Sequence, residues 1–324
     1  MKRCKVVSSK LFQKLYLIAH KYYVEEKKQQ EIADELHINR VLVSHYLKQA
    51  REIGIVEIKI RGESTEINLI KNKLIETFSL EDAEIVSMPF RGVNDHYLTT
   101  SWTLMAEKLD KFLQNDAAIG VGWGSTLEAI SNNLKPSRKL EETVFIPLTG
   151  GTNQLPPYFH TNNFVRCFAE AYGAKAKFLF APFVFESISK IESIALSKDV
   201  AEIMNSWKNL DIVISGIGCY IRKSPLFQKN ILDGKYLKKI LEKNVVGDVM
   251  THFYDENGDF VDLEIYNRLM NISLNDYLKT RIRIGVAVGF NKVQAIIGAL
   301  RGKIINVLIT DVDTAKLVLK YQNN

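Results

Sequence analysis

Residues 28–51, KQQEIADELHINRVLVSHYLKQAR, read as two short helices joined by a tight turn. Ile32, Ala33 and Leu36 make the first apolar face, and Val43, Leu47 and Ala50 the second. Residues at these spacings share one side of a helix. His37-Ile38-Asn39 breaks the pattern, and Asn39 is a natural N-cap for the second helix. The outer face of that helix then carries Arg40, Val41, Ser44, His45 and Lys48. This is the geometry of a helix-turn-helix DNA reader, and equally that of a helical hairpin with solvated charges. A third helix is expected over residues 10–24, where Leu11, Leu15, Ile18, Ala19 and Tyr22 share a face. Gly54 marks a helix stop, and Ile55 to Ile60 read as a strand. That order suggests a winged variant, with Lys59 and Arg61 near phosphates.

The charge distribution separates the two readings. Residues 1–61 hold thirteen basic and seven acidic residues, whereas residues 62–324 hold thirty of each. The entire net charge of +6 therefore falls on the segment that looks like a DNA reader. A polyanion favours such an arrangement through counterion release.

A chain of 324 residues is long enough for two domains. No apolar run reaches the roughly 18 residues that span a bilayer, so no membrane partner is expected. The N-terminus MKRCKVVSSKLF lacks the apolar core of a secretory signal. Cys4, Cys167 and Cys219 form neither a disulfide framework nor a metal-ligand spacing. A cytoplasmic location is expected, with no metal and no cofactor.

Residues 62–81 read as a linker and a helix, with Ile67, Ile70, Leu74 and Phe78 on one side. From residue 82 onward, short apolar runs alternate with helical patterns. Strands are expected at 83–86, 117–121, 143–148, 175–179, 212–217, 282–288 and 305–310. Helices are expected near 97–113, 125–134, 162–172, 198–207, 233–243, 292–300 and 313–322. Continuous apolar strands between amphipathic helices argue for a mostly parallel, doubly wound α/β sheet covered on both faces. Asp255-Glu256-Asn257-Gly258-Asp259 is a turn signal expected to join an inserted hairpin. Three domain segments follow: 1–61, 62–81 and 82–324.

Ligands of such sheets bind at the carboxyl ends of the strands. Gly122-Trp123-Gly124-Ser125-Thr126 lies after the second strand and runs into a helix, a reasonable phosphate cradle. It is not a Walker A loop, because no Gly-Lys-Ser/Thr follows at the required spacing. Thr149-Gly150-Gly151 follows the third strand, Gly218 and Arg222 the fifth, and Gly289-Phe290-Asn291-Lys292 the strand at 282–288. Asp248 lies beyond the helix at 233–243, and Asp311 follows the last strand as a candidate helix cap. No convincing catalytic set is present: there is no HExxH and no GxSxG elbow. GVGWGS only superficially resembles a dinucleotide fingerprint, because Ser stands at its last position.

Taken in combination, the motifs resemble the SorC family of bacterial sugar-responsive transcriptional regulators over nearly the whole chain. They are Tyr22-Tyr23, Gln29 to Ala33, Val43-Ser44 and Ala50 to Val56 at the front. Behind them come Gly-Trp-Gly-Ser-Thr at 122–126, Gly-Gly at 150–151, Ala-Pro at 181–182, Gly-Ile-Gly at 216–218, Gly-Asp at 247–248, Gly-x-x-Lys at 289–292 and Leu-Ile-Thr-Asp at 308–311. The resemblance implies an effector domain similar in fold to sugar-phosphate isomerases and deaminases but acting as a binder. It also implies a homotetramer, a dimer of dimers, on double-stranded operator DNA, and an effector that is a phosphorylated sugar. Gly124, Ser125, Thr126, Thr149, Gly150, Gly151, Asn163, Asp248 and Lys292 would line the effector site, with Arg222 a looser match. Arg40, Val41, Ser44, His45 and Lys48 would meet DNA.

Three positions depart from the family pattern. His45 stands where Arg is usual, and Gln29 where a capping Thr is usual. Thr149 replaces the Arg carried by some members with diphosphorylated ligands, which disfavours such an effector. The rival reading is a sugar-phosphate isomerase or deaminase with an accessory DNA-binding module; a third is a nucleotide-sensing regulator.

Overall fold

The computed structural model describes residues 9–56, 65–87, 95–152, 154, 160–219 and 224–322. The chain divides into two compact units, residues 1–63 and 64–324.

In the first unit, α1 (Ser9–Tyr23), α2 (Gln29–Glu35) and α3 (Arg40–Glu52) bury the expected faces. Ile18, Ile32, Ala33, Val43 and Leu47 form one cluster, and Leu15, Ala19 and Ala50 another. The turn between α2 and α3 places His37 at φ 52, the left-handed region that usually selects glycine at a helix end. Asn39 caps α3, its side-chain oxygen accepting from Leu42 N–H at 2.7 Å. Gln29 is not an N-cap, contrary to the sequence reading. It is the first helical residue, and the Glu31 carboxylate secures the start by accepting Lys28 N–H at 2.9 Å. Glu35 receives Lys21 at 2.8 Å and Lys27 at 2.5 Å, tying α1, the connecting loop and α2 together. Ile55 and Val56 pack beside α1 and α3 without strand pairing. The remainder of the expected wing strand, with Lys59 and Arg61, lies outside the described residues.

The second unit opens with α4 (Thr65–Phe78), which sends Ile70 and Leu74 into the same core as the sheet. The sheet strands are β1 (Asp82–Val86), β2 (Ala118–Val121), β3 (Val144–Pro147), β4 (Lys175–Ala176), β5 (Ile212–Gly218), β6 (Gly247–Val249), β7 (His252–Tyr254), β8 (Ile282–Val286) and β9 (Val307–Asp311). Their spatial order is β1-β9-β8-β5-β2-β3-β4, with every pair along this path parallel. The β6–β7 hairpin attaches antiparallel to the end of β5. The crossing helices are α5 (Asp95–Asp110), α6 (Ser125–Ser131), α7 (Thr161–Tyr172), α8 (Ile188–Ala195), α9 (Lys198–Trp207), α10 (Pro225–Gln228), α11 (Gly234–Glu242), α12 (Leu274–Lys279), α13 (Val293–Arg301) and α14 (Val312–Tyr321). The central strands are largely apolar because helices cover both faces, and all five residues of β9 are buried.

Two expectations are corrected. The fourth strand is two residues rather than five, because the chain leaves the edge to pair Ala181 and Phe183 with Gly151. The hairpin turn is Met250-Thr251, both at positive φ (49° and 64°). Asp255 to Asp259 instead closes the next turn, between Tyr254 and Phe260.

Glu84 on β1 is 2% exposed, yet it is a carboxylate. Lys71 of α4 at 3.1 Å and Lys111 at 2.8 Å reach one oxygen, and Lys108 of α5 reaches the other at 2.8 Å. Lys71 also meets Asp82 at 2.8 Å. This ion cluster fastens α4 and α5 to the sheet edge. Removing one partner of a buried ion cluster leaves uncompensated charge, so Glu84→Gln is expected to lower the unfolding free energy in urea by about 3 kcal/mol. Glu66→Gln, which breaks only the surface pair with Lys316, should change it by less than about 0.5 kcal/mol. Equal, small effects would show that the Glu84 cluster does not fasten the edge.

Candidate functional site

On α3, Arg40, Val41, Ser44, His45 and Lys48 are all exposed, opposite the buried Val43, Leu47 and Ala50. Val41 is 78% exposed, an apolar side chain of the kind that meets thymine methyl groups. Lys48 lies 4.0 Å from Glu52 one turn on, a loose surface pair that leaves its ammonium in water.

In the second unit, β2 and β5 are neighbours from which the chain departs in opposite directions. From β2 it proceeds outward to β3 and β4; from β5 it proceeds the other way to β8 and β9. The carboxyl ends of β2 and β5 therefore flank a topological switch point.

Three groups converge there. Asp248 sits on β6, paired with Gly218 at the end of β5. A Cβ at position 218 would lie 1.9 Å from a carboxylate oxygen of Asp248, so only glycine admits this approach. Lys292, at the start of α13, donates to the Ile217 carbonyl at 2.6 Å. The pairing of β6 with the end of β5 and the exit from β8 bring Asp248 and Lys292 to one rim. The β2 loop lies alongside, held by Gly122 N–H to the Ile214 carbonyl at 2.8 Å. Its Gly124 adopts φ 127 to turn into α6, whose first turn carries exposed Ser125 and half-buried Thr126.

The other expected residues are placed differently. Thr149 is buried and its hydroxyl donates to the Met270 carbonyl at 3.0 Å. Gly150 N–H bonds the same carbonyl, and Gly151 bonds Ala181 and Phe183. This loop is spent on holding its own framework. Asn163 is exposed on α7 and accepts from Arg166 at 3.0 Å. Arg222 lies outside the described residues.

The family model of the sugar-binding domain matches residues 63–320. The sorbitol operon regulator of Klebsiella pneumoniae is 28% identical over 304 residues, 94% of this chain and 96% of that protein. The deoxyribonucleoside regulator of Bacillus subtilis (strain 168) is also 28% identical, over 93% and 95% of the two chains. The structure of full-length SorC from Klebsiella pneumoniae superposes with a TM-score of 0.79 at 27% identity, covering 95% of this chain and 98% of that one. The chain belongs to the SorC family of sugar-binding transcriptional regulators.

Within this SorC-family domain the rim has a charge that burial opposes. Burial pushes the Asp248 carboxyl above its ordinary value of 3.8, while Lys292 and the Thr251 backbone N–H pull it back. Burial likewise raises the Cys219 thiol, against the pull of Lys292. Cys219 and Asn291 were not singled out from the sequence, yet both stand at this rim, Asn291 Nδ2 lying 3.8 Å from the Cys219 sulfur. Each is the immediate chain neighbour of a residue that was singled out, Gly218 and Lys292. Among the described residues, no group of three His, Cys, Asp or Glu side chains is placed to hold a metal ion.

The sign of the pH effect follows. With its folded value raised, native Asp248 retains a proton that the unfolded chain releases, so its contribution to stability falls as pH rises from near 3.8 through the folded value. Asp248→Asn should therefore gain stability relative to the parent protein between pH 4 and pH 7 in urea unfolding without added sugar phosphate. A variant destabilised equally at both pH values would contradict a strained carboxylate.

Proposed function

We propose that the chain is a transcriptional regulator that binds operator DNA through α3 and senses a monophosphorylated sugar at the switch-point rim. The observation that carries this reading is the meeting of Asp248 and Lys292 at the carboxyl ends of β5 and β8. Lys292 supplies a cation beside the start of α13 for an anionic group. Asp248 is an acceptor for sugar hydroxyls. Ser125 and Thr126 add hydroxyls from the adjacent loop, and Arg222 keeps the role that family resemblance gives it. Thr149, occupied with Met270, offers no second phosphate site, which favours one phosphate over two.

The regulators named above support a binder over an enzyme. Arg40, Ser44, His45 and Lys48 read the major groove, with Lys59 and Arg61 on phosphates. The assembly is a tetramer in the cytoplasm; no described helix is long and apolar enough to cross a membrane. The sugar acts through a difference in its affinity for the DNA-competent and incompetent states.

A thermal-shift series with sugar phosphates and their parent sugars tests the sensor. A rise in Tm with one sugar phosphate, absent in Lys292→Ala, is expected; conversion of the sugar phosphate into product would favour an enzyme. On DNA, Lys48→Ala is expected to weaken cognate and random sequences alike and to lower the log–log salt slope by about 0.9. His45→Ala should alter sequence preference instead. Equal losses on both DNAs for His45→Ala would remove that side chain from base readout.

A further inference from the structure

The β6–β7 hairpin has two faces. Residues paired across an antiparallel ladder point the same way, so Asp248 shares one face with Phe253, and Val249 the other with His252. The Asp248 face belongs to the rim already described. The His252 face borders a separate cavity of about 340 Å³, enclosed by the hairpin and residues 260–274. That volume falls within the range of small-molecule sites.

The chemistry of this cavity differs from that of the rim. None of its lining residues is Lys or Arg, and its one charged member is Asp262, exposed at the mouth with Asn267. Phe260 and Tyr266 set their rings against the His252 ring, at centroid distances of 6.4 and 5.3 Å. The Tyr266 hydroxyl is already committed, donating to Val261 and accepting from Phe253, so the ring offers its surface. Leu269, Ile272 and Leu274 add apolar wall.

Two acceptors on lining residues, buried just behind the cavity surface, have no partner among the described residues. His252 is 6% exposed, and its Nε2 bonds the Ile272 carbonyl at 3.0 Å, which fixes the hydrogen on Nε2. Nδ1 is then a bare acceptor, and it has no partner among the described residues. Asn271 gives its amide nitrogen to the Met250 carbonyl, leaving Oδ1 a second buried acceptor without a donor. Burial keeps His252 neutral by lowering its affinity for a proton. Unpaired buried acceptors are costly, and they are served by whatever brings a hydrogen-bond donor.

We propose that this cavity is a second ligand site, distinct from the switch-point rim, for an uncharged hydroxylated ring: an unphosphorylated monosaccharide or cyclic polyol. Its C–H faces lie on Phe260 and Tyr266. Inner hydroxyls donate to His252 Nδ1 and Asn271 Oδ1 once these two side chains turn slightly toward the cavity, and outer hydroxyls meet Asp262 and Asn267. A phosphorylated sugar is rejected, because Asp262 repels it and no cation answers it. Ordered water is the competing occupant.

The test is isothermal titration of the full chain with glucose and with myo-inositol, using glucose 6-phosphate as the charged comparator. Saturable binding of at least one neutral ring is expected, surviving intact in Lys292→Ala, which disables the rim. His252→Phe keeps a ring but removes the acceptor, and should weaken that binding about tenfold. Asn267→Trp occludes the mouth without removing any hydrogen bond described above, so it should abolish binding even if His252→Phe does not fold. No saturable binding of either neutral ring would mean that water alone fills the cavity and would overturn the proposal. So would binding unchanged in Asn267→Trp, or binding lost in Lys292→Ala.

Discussion

Everything in the second unit is arranged around the burial of β5 between β2 and β8. Ile212, Val213 and Ile214 have no exposed surface, and both neighbours run parallel to the strand. Parallel pairing sends every connection back across a face and delivers every exit loop to the same end of the sheet. β5 also runs past its neighbours: Ile217 and Gly218 go on to pair with β6. That overrun is why a carboxylate from a distant hairpin and a lysine from the β8 exit meet where the chain reverses its direction of travel.

Two buried carboxylates show how one fold uses charge in opposite ways. Glu84 is surrounded by three lysines, one from α4, one from α5 and one just beyond α5, and works as a fastener at the sheet edge. Asp248 has one lysine nearby and a backbone N–H from Thr251, and burial still disfavours its charge. Thr251 itself is β-branched at positive φ, a conformation such residues rarely hold. An under-compensated charge at this turn is what a ligand with hydroxyls can relieve, whereas Glu84 already has its lysines. The first unit keeps its charges at the surface instead, where a polyanion can reach them.

The alternation of strands and helices was legible because the strands are unbroken apolar runs, and the faces of α1 to α3 because their spacings are regular. Lys292 was legible because Gly-x-x-Lys stands at a strand exit, which parallel topology sends to the ligand end; Asp248 was legible from the Gly-Asp motif of the resemblance, since it lies on an antiparallel hairpin that the alternation of strands and helices does not place. What was hidden depends on contacts distant in the chain. Thr149 looks like a donor until its hydroxyl is found bonded to the carbonyl of Met270, 121 residues away. Asn163 comes from the family resemblance alone; its neighbour Asn162 engages backbone, bracketing Leu179, which no local pattern announces. The Met250-Thr251 turn carries no Gly, Asn or Asp to announce it, while Asp255 to Asp259 announces a turn that serves a different bend. α8 carries Ile188, Ile191 and Ile194 on one side, two of them packed against the core, but at eight residues its stripe is too short to stand out between the flanking segments.

The central claim is that small-molecule binding in the second unit and DNA binding by the first are thermodynamically linked. The most direct measurement closes the cycle: operator affinity with and without saturating sugar phosphate, and sugar-phosphate affinity with and without saturating operator, at one salt concentration. Linkage requires both ratios to be the same factor, and a factor of about 5 or more is expected for a working regulator. If a sugar phosphate binds with identical affinity to the free and DNA-bound protein, and operator affinity is unmoved by it, the account is contradicted.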